Sequence, residues 1–186
     1  GVPLPSIDLV VRDDDNRDVP VGMPGELCIR GPNVTPGYYN RPDETARALT
    51  PDGYFRTGDI GTMDARGFFR IVDRKKDMIL VSGFNVFPTE IEAVVSAHPQ
   101  VLECAAVGVP DAGSGEAVRL YVVARDPALT EQQVRDWCRE RLTGYKRPSS
   151  IVFATELPKT PVGKVLRRAL RDTGTSAPAA APPARP

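Results

Sequence analysis

Apolar and polar residues alternate in short stretches along the first third of the chain, and this period of two is that of half-buried strands. Ile7 to Asp13 (IDLVVRD) alternates and ends in an acidic turn, and Gly25 to Gly31 (GELCIRG) gives another strand. GYFRTGDIG and GFFRIV return to strand character, with Gly61 and Gly67 bounding a turn between them. One helix interrupts the series over Arg41 to Leu49, with Pro42 in its first turn and Asp43 and Glu44 as first-turn charges. The run DDDNRD sets Asp13 and Asp15 at calcium-loop spacing, but Arg17 stands at a ligand position and no glycine follows, so it reads as a hairpin turn.

The pattern changes at DRKKD, Asp73 to Asp77. Five charged residues between two apolar strands predict an exposed connection and a domain boundary. Beyond it the rhythm is α+β. Pro88 opens a helix with Glu90 and Glu92 in its first turn and Ile91, Val94 and Val95 as its apolar stripe. VLECAAVGVP and AVRLYVVAR predict two strands. A second helix starts at Thr130, capped with Gln133, lined by Val134, Trp137 and Cys138 and stopped by Gly144. SSIVFAT adds a strand and KVLRRALRD a short last helix. From Thr173 to Pro186 the Ala/Pro-rich composition predicts a disordered tail.

Composition narrows the function classes. The chain has 186 residues, with 24 basic and 24 acidic side chains that cancel, so no electrostatic footprint for nucleic acid or a membrane surface is present. No run of about 18 apolar residues occurs to span a bilayer. The three cysteines, Cys28, Cys104 and Cys138, form no CxxC pair, and their odd number fits a reducing compartment better than a disulfide framework. The chain opens on Gly1 without a methionine or targeting segment, as the middle of a longer protein would.

Candidate chemistry is scattered among short motifs. In Thr57-Gly58-Asp59, a carboxylate after a glycine turn suits a ribose diol, and the same residues also suit a plain polar turn. Gly163-Lys164 lacks the phosphate-loop pattern, because Pro158 and Val165 replace its first glycine and its hydroxyl residue. GVPDAGSGEAV fails the dinucleotide fingerprint at Val118. Lys164 lies between a glycine and an aliphatic helix start, where a loop-fixed ammonium can face an anionic centre or simply be solvated. Gly83, in ILVSGFNVFPTEIE, either lets a narrow ligand pass close to the backbone or turns a hairpin into a helix. His98, before Pro99 at a helix end, suits capping or dipole compensation.

The order and spacing of these motifs carry more than any one of them. GELCIRGPNVTPGYYN, DGYFRTGDIG, RIVDRKKDMILVSGFNVFPTEIE and LPKTPVGKVLRRAL together resemble the adenylate-forming superfamily of acyl-CoA synthetases, luciferases and peptide-synthetase adenylation domains. RTGDIGTMDARGFFRIVDRKKDMILVSGFNVFPTEIE with LTGYKRP is most similar to bacterial long-chain fatty acyl-CoA synthetases, and the resemblance covers about residues 1 to 172. It implies an α+β chain: the end of a large domain (1–73), built of short strands in a distorted barrel-like subdomain, then a hinge (74–77). A small domain (78–172) with a three-stranded sheet and flanking helices follows, and then the tail (173–186). It implies ATP, Mg2+ and coenzyme A as cofactors and a fatty acid as substrate. It implies that Thr57, Asp59 and Arg74 contact ATP or AMP, Asp59 through the ribose hydroxyls, and that Lys76 is the hinge residue. Lys164 corresponds to the lysine of the adenylation step, where a fixed cation offsets charge on the α-phosphate. Gly83, Phe84 and Asn85 correspond to the pantetheine path, and Arg139 to a weaker contact with the coenzyme A nucleotide.

The resemblance also sets the expected partners: small molecules, no nucleic acid, a cytoplasmic location with peripheral membrane contact left open, and a homodimer through the rest of the large domain also open. The family's phosphate loop and acyl pocket belong upstream of Gly1, so the 186 residues alone are expected to be inactive. Two other readings stay open: an adenylation domain that loads a carrier protein, and a non-catalytic truncated binding module.

Overall fold

The computed structural model describes residues 1–173, and the expected tail falls, apart from the backbone of Thr173, outside the described residues. The chain divides into two compact units, Gly1–Lys76 and Asp77–Pro186.

The N-terminal unit is a four-stranded antiparallel sheet in the order β1-β2-β3-β4, with β1 Asp8–Arg12, β2 Gly25–Arg30, β3 Phe55–Met63 and β4 Phe69–Arg74. The sheet is open, so the barrel-like expectation reduces to a twisted sheet with irregular pairing. Helix α1, Pro42–Ala48, starts at its proline as predicted, because proline loses nothing at a position whose N–H has no helical partner. The acidic run after β1 is a tight hairpin. Asp13 Oδ1 accepts the backbone N–H groups of Asp15 and Arg17 at 2.9 and 2.8 Å, and Asn16 takes the left-handed conformation at its tip. The turn between β3 and β4 lies at Asp64–Gly67, and Gly61 sits inside β3 instead of bounding it.

The defining irregularity lies between β2 and β3. Glu26 pairs with Ile60 and Cys28 with Arg56, so Thr57, Gly58 and Asp59 all stand opposite the single residue Leu27. The ladder cannot absorb two extra residues, and the segment bulges. Gly58 supplies the φ of +71° this requires, a conformation that costs a side-chain-bearing residue about 1 kcal/mol.

The C-terminal unit is built on β8, Gly115–Ala124. One edge of β8 carries β7, Val101–Asp111, antiparallel. The other carries β9, Ser150–Phe153, in parallel over Arg119 to Val122, and β5, Ile79–Val81, at the single pair Val81–Gly115. β5 is itself paired to β6, Phe84–Val86. The expected three-stranded sheet is thus β7-β8-β9, and the β5–β6 hairpin extends it to five strands. Helices α2, Pro88–Ser96, and α3, Glu131–Arg141, cover one face. There Cys104, Ala106, Val118, Leu120 and Val122 meet Ile91, Val95, Val134 and Cys138. The alternate residues Ala105, Val107, Val109, Tyr121 and Val123 meet Leu157 and Leu170 on the other face, under α4, Arg167–Thr173. Burial on both faces explains why these strands read as continuous apolar runs without alternation.

Thr130 and Gln133 form the predicted capping box of α3. The helix ends earlier than predicted: Leu142 is extended, and Gly144 opens a short 3₁₀ turn instead of capping the helix. Among the described residues no helix is long and apolar enough to cross a membrane.

Candidate functional site

The bulge at Thr57–Asp59 is held from both sides. Thr57 Oγ1 donates to the Leu27 carbonyl at 2.8 Å and accepts the Asp59 N–H at 3.1 Å. Beside it Glu26, almost wholly buried, accepts the Gly58 N–H through Oε1 at 3.1 Å. Its Oε2 takes Arg56 at 3.2 Å and Lys75 Nζ at 2.9 Å, and Lys75 also reaches Asp14 at 2.7 Å. Lys75 holds the Asp14 carboxyl below its ordinary range.

Across the β3–β4 pair, Asp59 stands opposite Arg74, whose Nε donates to Asp59 Oδ1 at 2.9 Å. Asp59 is a quarter exposed and Arg74 more than half, so both keep faces toward solvent. A partly shielded carboxylate beside an accessible guanidinium suits a ligand that carries hydroxyl donors next to an anionic group. A broad cavity of about 820 Å³ has Thr57 and Gly58 among its walls, together with Glu26, Arg56, Lys75 and Tyr38, but neither Asp59 nor Arg74. The Asp59–Arg74 pair and this cavity are thus different surfaces.

In the C-terminal unit, Ser82 and Gly83 form the tip of the β5–β6 hairpin with φ values of +50° and +82°. Two successive positive φ values match the twist of the flanking strands, and glycine at the second position relieves the strain. No atom lies within 4 Å of where a Gly83 Cβ would be, so the backbone at the tip is open to an approaching chain. Phe84 stacks on Tyr145 at 4.6 Å between ring centroids and an interplanar angle of 16°, and Asn85 is exposed beside it.

Lys164 lies on a second tight turn. Thr160 N–H donates to the Lys164 carbonyl at 2.7 Å, Gly163 N–H to the Thr160 carbonyl at 2.8 Å and Lys164 N–H to Thr160 Oγ1 at 3.2 Å. Lys159, bridged to Val165, also ties the turn to β7 through Glu103 at 2.8 Å. The lysine is therefore fixed by its backbone while its side chain is exposed. It does not abut a helix, since α4 begins only at Arg167.

Other expected residues are less prepared. Arg139 lies on α3 with its guanidinium on Asp136 at 2.7 Å, and Lys76 is exposed. The DRKKD run is not the exposed connection predicted: Asp73 is buried in β4, and Asp77 is largely buried against Arg167 and Arg171. His98 is buried edge-on to Trp137, and its Nδ1 accepts the Gln100 N–H at 3.2 Å. The cysteines are free and buried, and burial pushes the Cys104 thiol up to about 11, so they are poor nucleophiles. Among the described residues no group of three metal-ligating side chains could hold an ion, so no residue here is assigned to Mg2+.

Sequence reasoning missed Glu26, Glu92 and Asp77. The one signal for Glu26 was an acid inside an apolar strand. Glu92 and Asp77 looked like ordinary surface charges.

Two family profiles match the chain: AMP-binding enzyme over residues 1–39, and AMP-binding enzyme C-terminal domain over residues 90–164. The chain is 58% identical over 172 residues to the long-chain-fatty-acid–CoA ligase of Escherichia coli O6:H1, and 59% identical over 172 residues to that of Yersinia pestis. Each alignment covers 92% of this chain and 30% of the relative, so the chain spans about 30% of the length of these curated proteins. Among solved structures, ATP-bound MatB from Rhodopseudomonas palustris matches with a TM-score of 0.89 and 37% identity, over 95% of this chain and 35% of that one.

Proposed function

Because the chain belongs to the AMP-binding enzyme family, we propose that it is the nucleotide-edge and C-terminal part of an ATP-dependent ligase that joins a long-chain fatty acid to coenzyme A. The fatty carboxylate attacks the α-phosphate of ATP, releasing pyrophosphate and forming acyl-AMP. The coenzyme A thiol then displaces AMP to give the thioester.

The observation that carries this reading is the Asp59–Arg74 pair on a bulge that the sheet cannot relax. In the proposed reaction Asp59 accepts the ribose hydroxyls, Thr57 fixes the bulge, and Arg74 meets the nucleotide's negative charge. Lys164 offsets charge on the α-phosphate as it becomes five-coordinate, and its hydrogen-bonded turn limits the reorganisation this requires. Lys76 is the hinge at which the C-terminal unit turns between half-reactions. The Gly83 tip, with Phe84 and Asn85, then lies along the pantetheine arm, and Arg139 toward the coenzyme A nucleotide.

The test separates the half-reactions in the intact enzyme. Lys164→Ala is expected to abolish acid-dependent pyrophosphate release while sparing thioester formation from supplied acyl-adenylate. An equal fall in both removes the proposed role. The 186-residue polypeptide alone is expected to release no pyrophosphate from ATP and a fatty acid.

A further inference from the structure

Three residues after Lys164, Arg167 opens α4 with its guanidinium forked onto Glu92 of α2. Nε lies 3.2 Å from Oε1 and Nη2 lies 2.6 Å from Oε2. Nη1 faces Asp77 Oδ2 at 3.6 Å, and Arg171, one turn further along α4, donates to Asp77 Oδ1 at 3.1 Å. Glu92 Oε1 also accepts the Ala106 N–H of β7 at 2.9 Å. The Asp77, Glu92 and Arg167 side chains are 13, 18 and 21% exposed, well shielded compared with surface pairs.

The apolar underside of α4 does not need this cluster to stay docked. Leu170 is buried among Val107, Val109 and Leu157, and its carbonyl accepts the Tyr121 hydroxyl at 2.9 Å. Apolar contact, however, resists separation far better than rotation or sliding, because it has no preferred direction. A bidentate guanidinium–carboxylate fork does fix direction. A helix of seven residues also has little intrinsic stability, so tertiary contacts decide its orientation.

We propose that Glu92 and Asp77 are positioning residues for Lys164: they fix α4, and with it the Lys164 turn, to α2 and to the first residue of the C-terminal unit. Asp77 directly follows Lys76, so a backbone change at Lys76 is passed to the Lys164 turn without slack. This rests on the roles proposed above for Lys164 and Lys76.

Glu92→Gln and Asp77→Asn keep side-chain size and remove charge, and Asp77→Asn leaves the Ala106 contact intact should the first variant fold poorly. In the intact enzyme each is expected to slow adenylation by about ten- to a hundredfold, the range that displacement of a catalytic group produces. Thioester formation from supplied acyl-adenylate should be unchanged, and the double variant should fall short of the product of the two effects. Hydrogen exchange should quicken over residues 160–171 and stay constant over Val118–Val122. Equal loss in both half-reactions, or no change in adenylation, overturns the proposal. If Lys164→Ala separates the half-reactions and these variants do not, the clamp alone is wrong. If Lys164→Ala fails to separate them, the functional reading falls and the clamp with it.

Discussion

In the C-terminal unit both faces of the β7–β8 pair are covered by apolar side chains. In the N-terminal unit the buried apolar residues are Val11, Leu27, Cys28, Tyr54 and Ile60, and they share the interior with Arg12, Glu26, Thr50 and Asp73. Around Tyr54 the polar contacts close into a network. Arg12 and Arg30 each stand 4.4 Å from its ring, its hydroxyl bonds to Asp8, and Arg12 forks onto Asp52 at 2.9 and 2.7 Å. The first unit therefore rests more heavily on paired charges that acid can disrupt, and the second more heavily on apolar burial. The comparison also places the two halves of the proposed chemistry. The Asp59–Arg74 pair proposed for the nucleotide sits on the polar frame, while the Lys164 turn and the Gly83 tip sit on the apolar one.

The largest effect tests the apolar side. Leu120 is fully buried in β8, and Leu120→Ala should destabilise the C-terminal unit by about 3 kcal/mol through lost burial and a cavity. Trp137 is the chain's one tryptophan and lies in that unit, so its fluorescence in a denaturant titration reports the loss selectively.

Next comes the polar frame. Glu26→Ala leaves the Gly58 N–H, Arg56 and Lys75 without their shared acceptor and should cost about 2 kcal/mol. Far-UV circular dichroism should register the loss while Trp137 fluorescence does not. A matching fall in both signals would mean that the units unfold together and would collapse the comparison.

Acid gives a smaller, graded effect. Arg12, followed by Thr50, holds the Asp52 carboxyl well below its ordinary range, and the Tyr54 hydroxyl, with Arg30, lowers Asp8. Lowered carboxylates contribute stability that is complete above about pH 4, the unfolded value, and is lost as pH falls through the folded values. The circular dichroism transition should therefore move on acidification before the Trp137 transition does, and Arg12→Met should flatten that dependence. The smallest effect belongs to a cap: Thr130→Ala should cost the C-terminal unit about 1 kcal/mol in the same fluorescence titration.

The strands β1 to β4, the proline that opens α1 and the capping box of α3 were legible because each depends on neighbours a few residues away. The motif run from GELCIRG to PVGKVLRRAL likewise marked the family from sequence alone, and with it the candidate residues Asp59, Arg74, Gly83 and Lys164. The three-residue bulge was not legible, since it depends on how β2 registers against β3. Nor was the fifth strand supplied by the β5–β6 hairpin, nor the fate of DRKKD, whose aspartates turn inward. Glu26, Glu92 and Asp77 looked like solvated acids because their partners are far along the chain: Gly58, Arg56 and Lys75 for the first, Arg167 and Arg171 for the others. Local pattern thus determined the elements and the candidate residues they carry. Which charges are withdrawn from water was decided only when distant segments packed, because burial and pairing belong to the assembled fold.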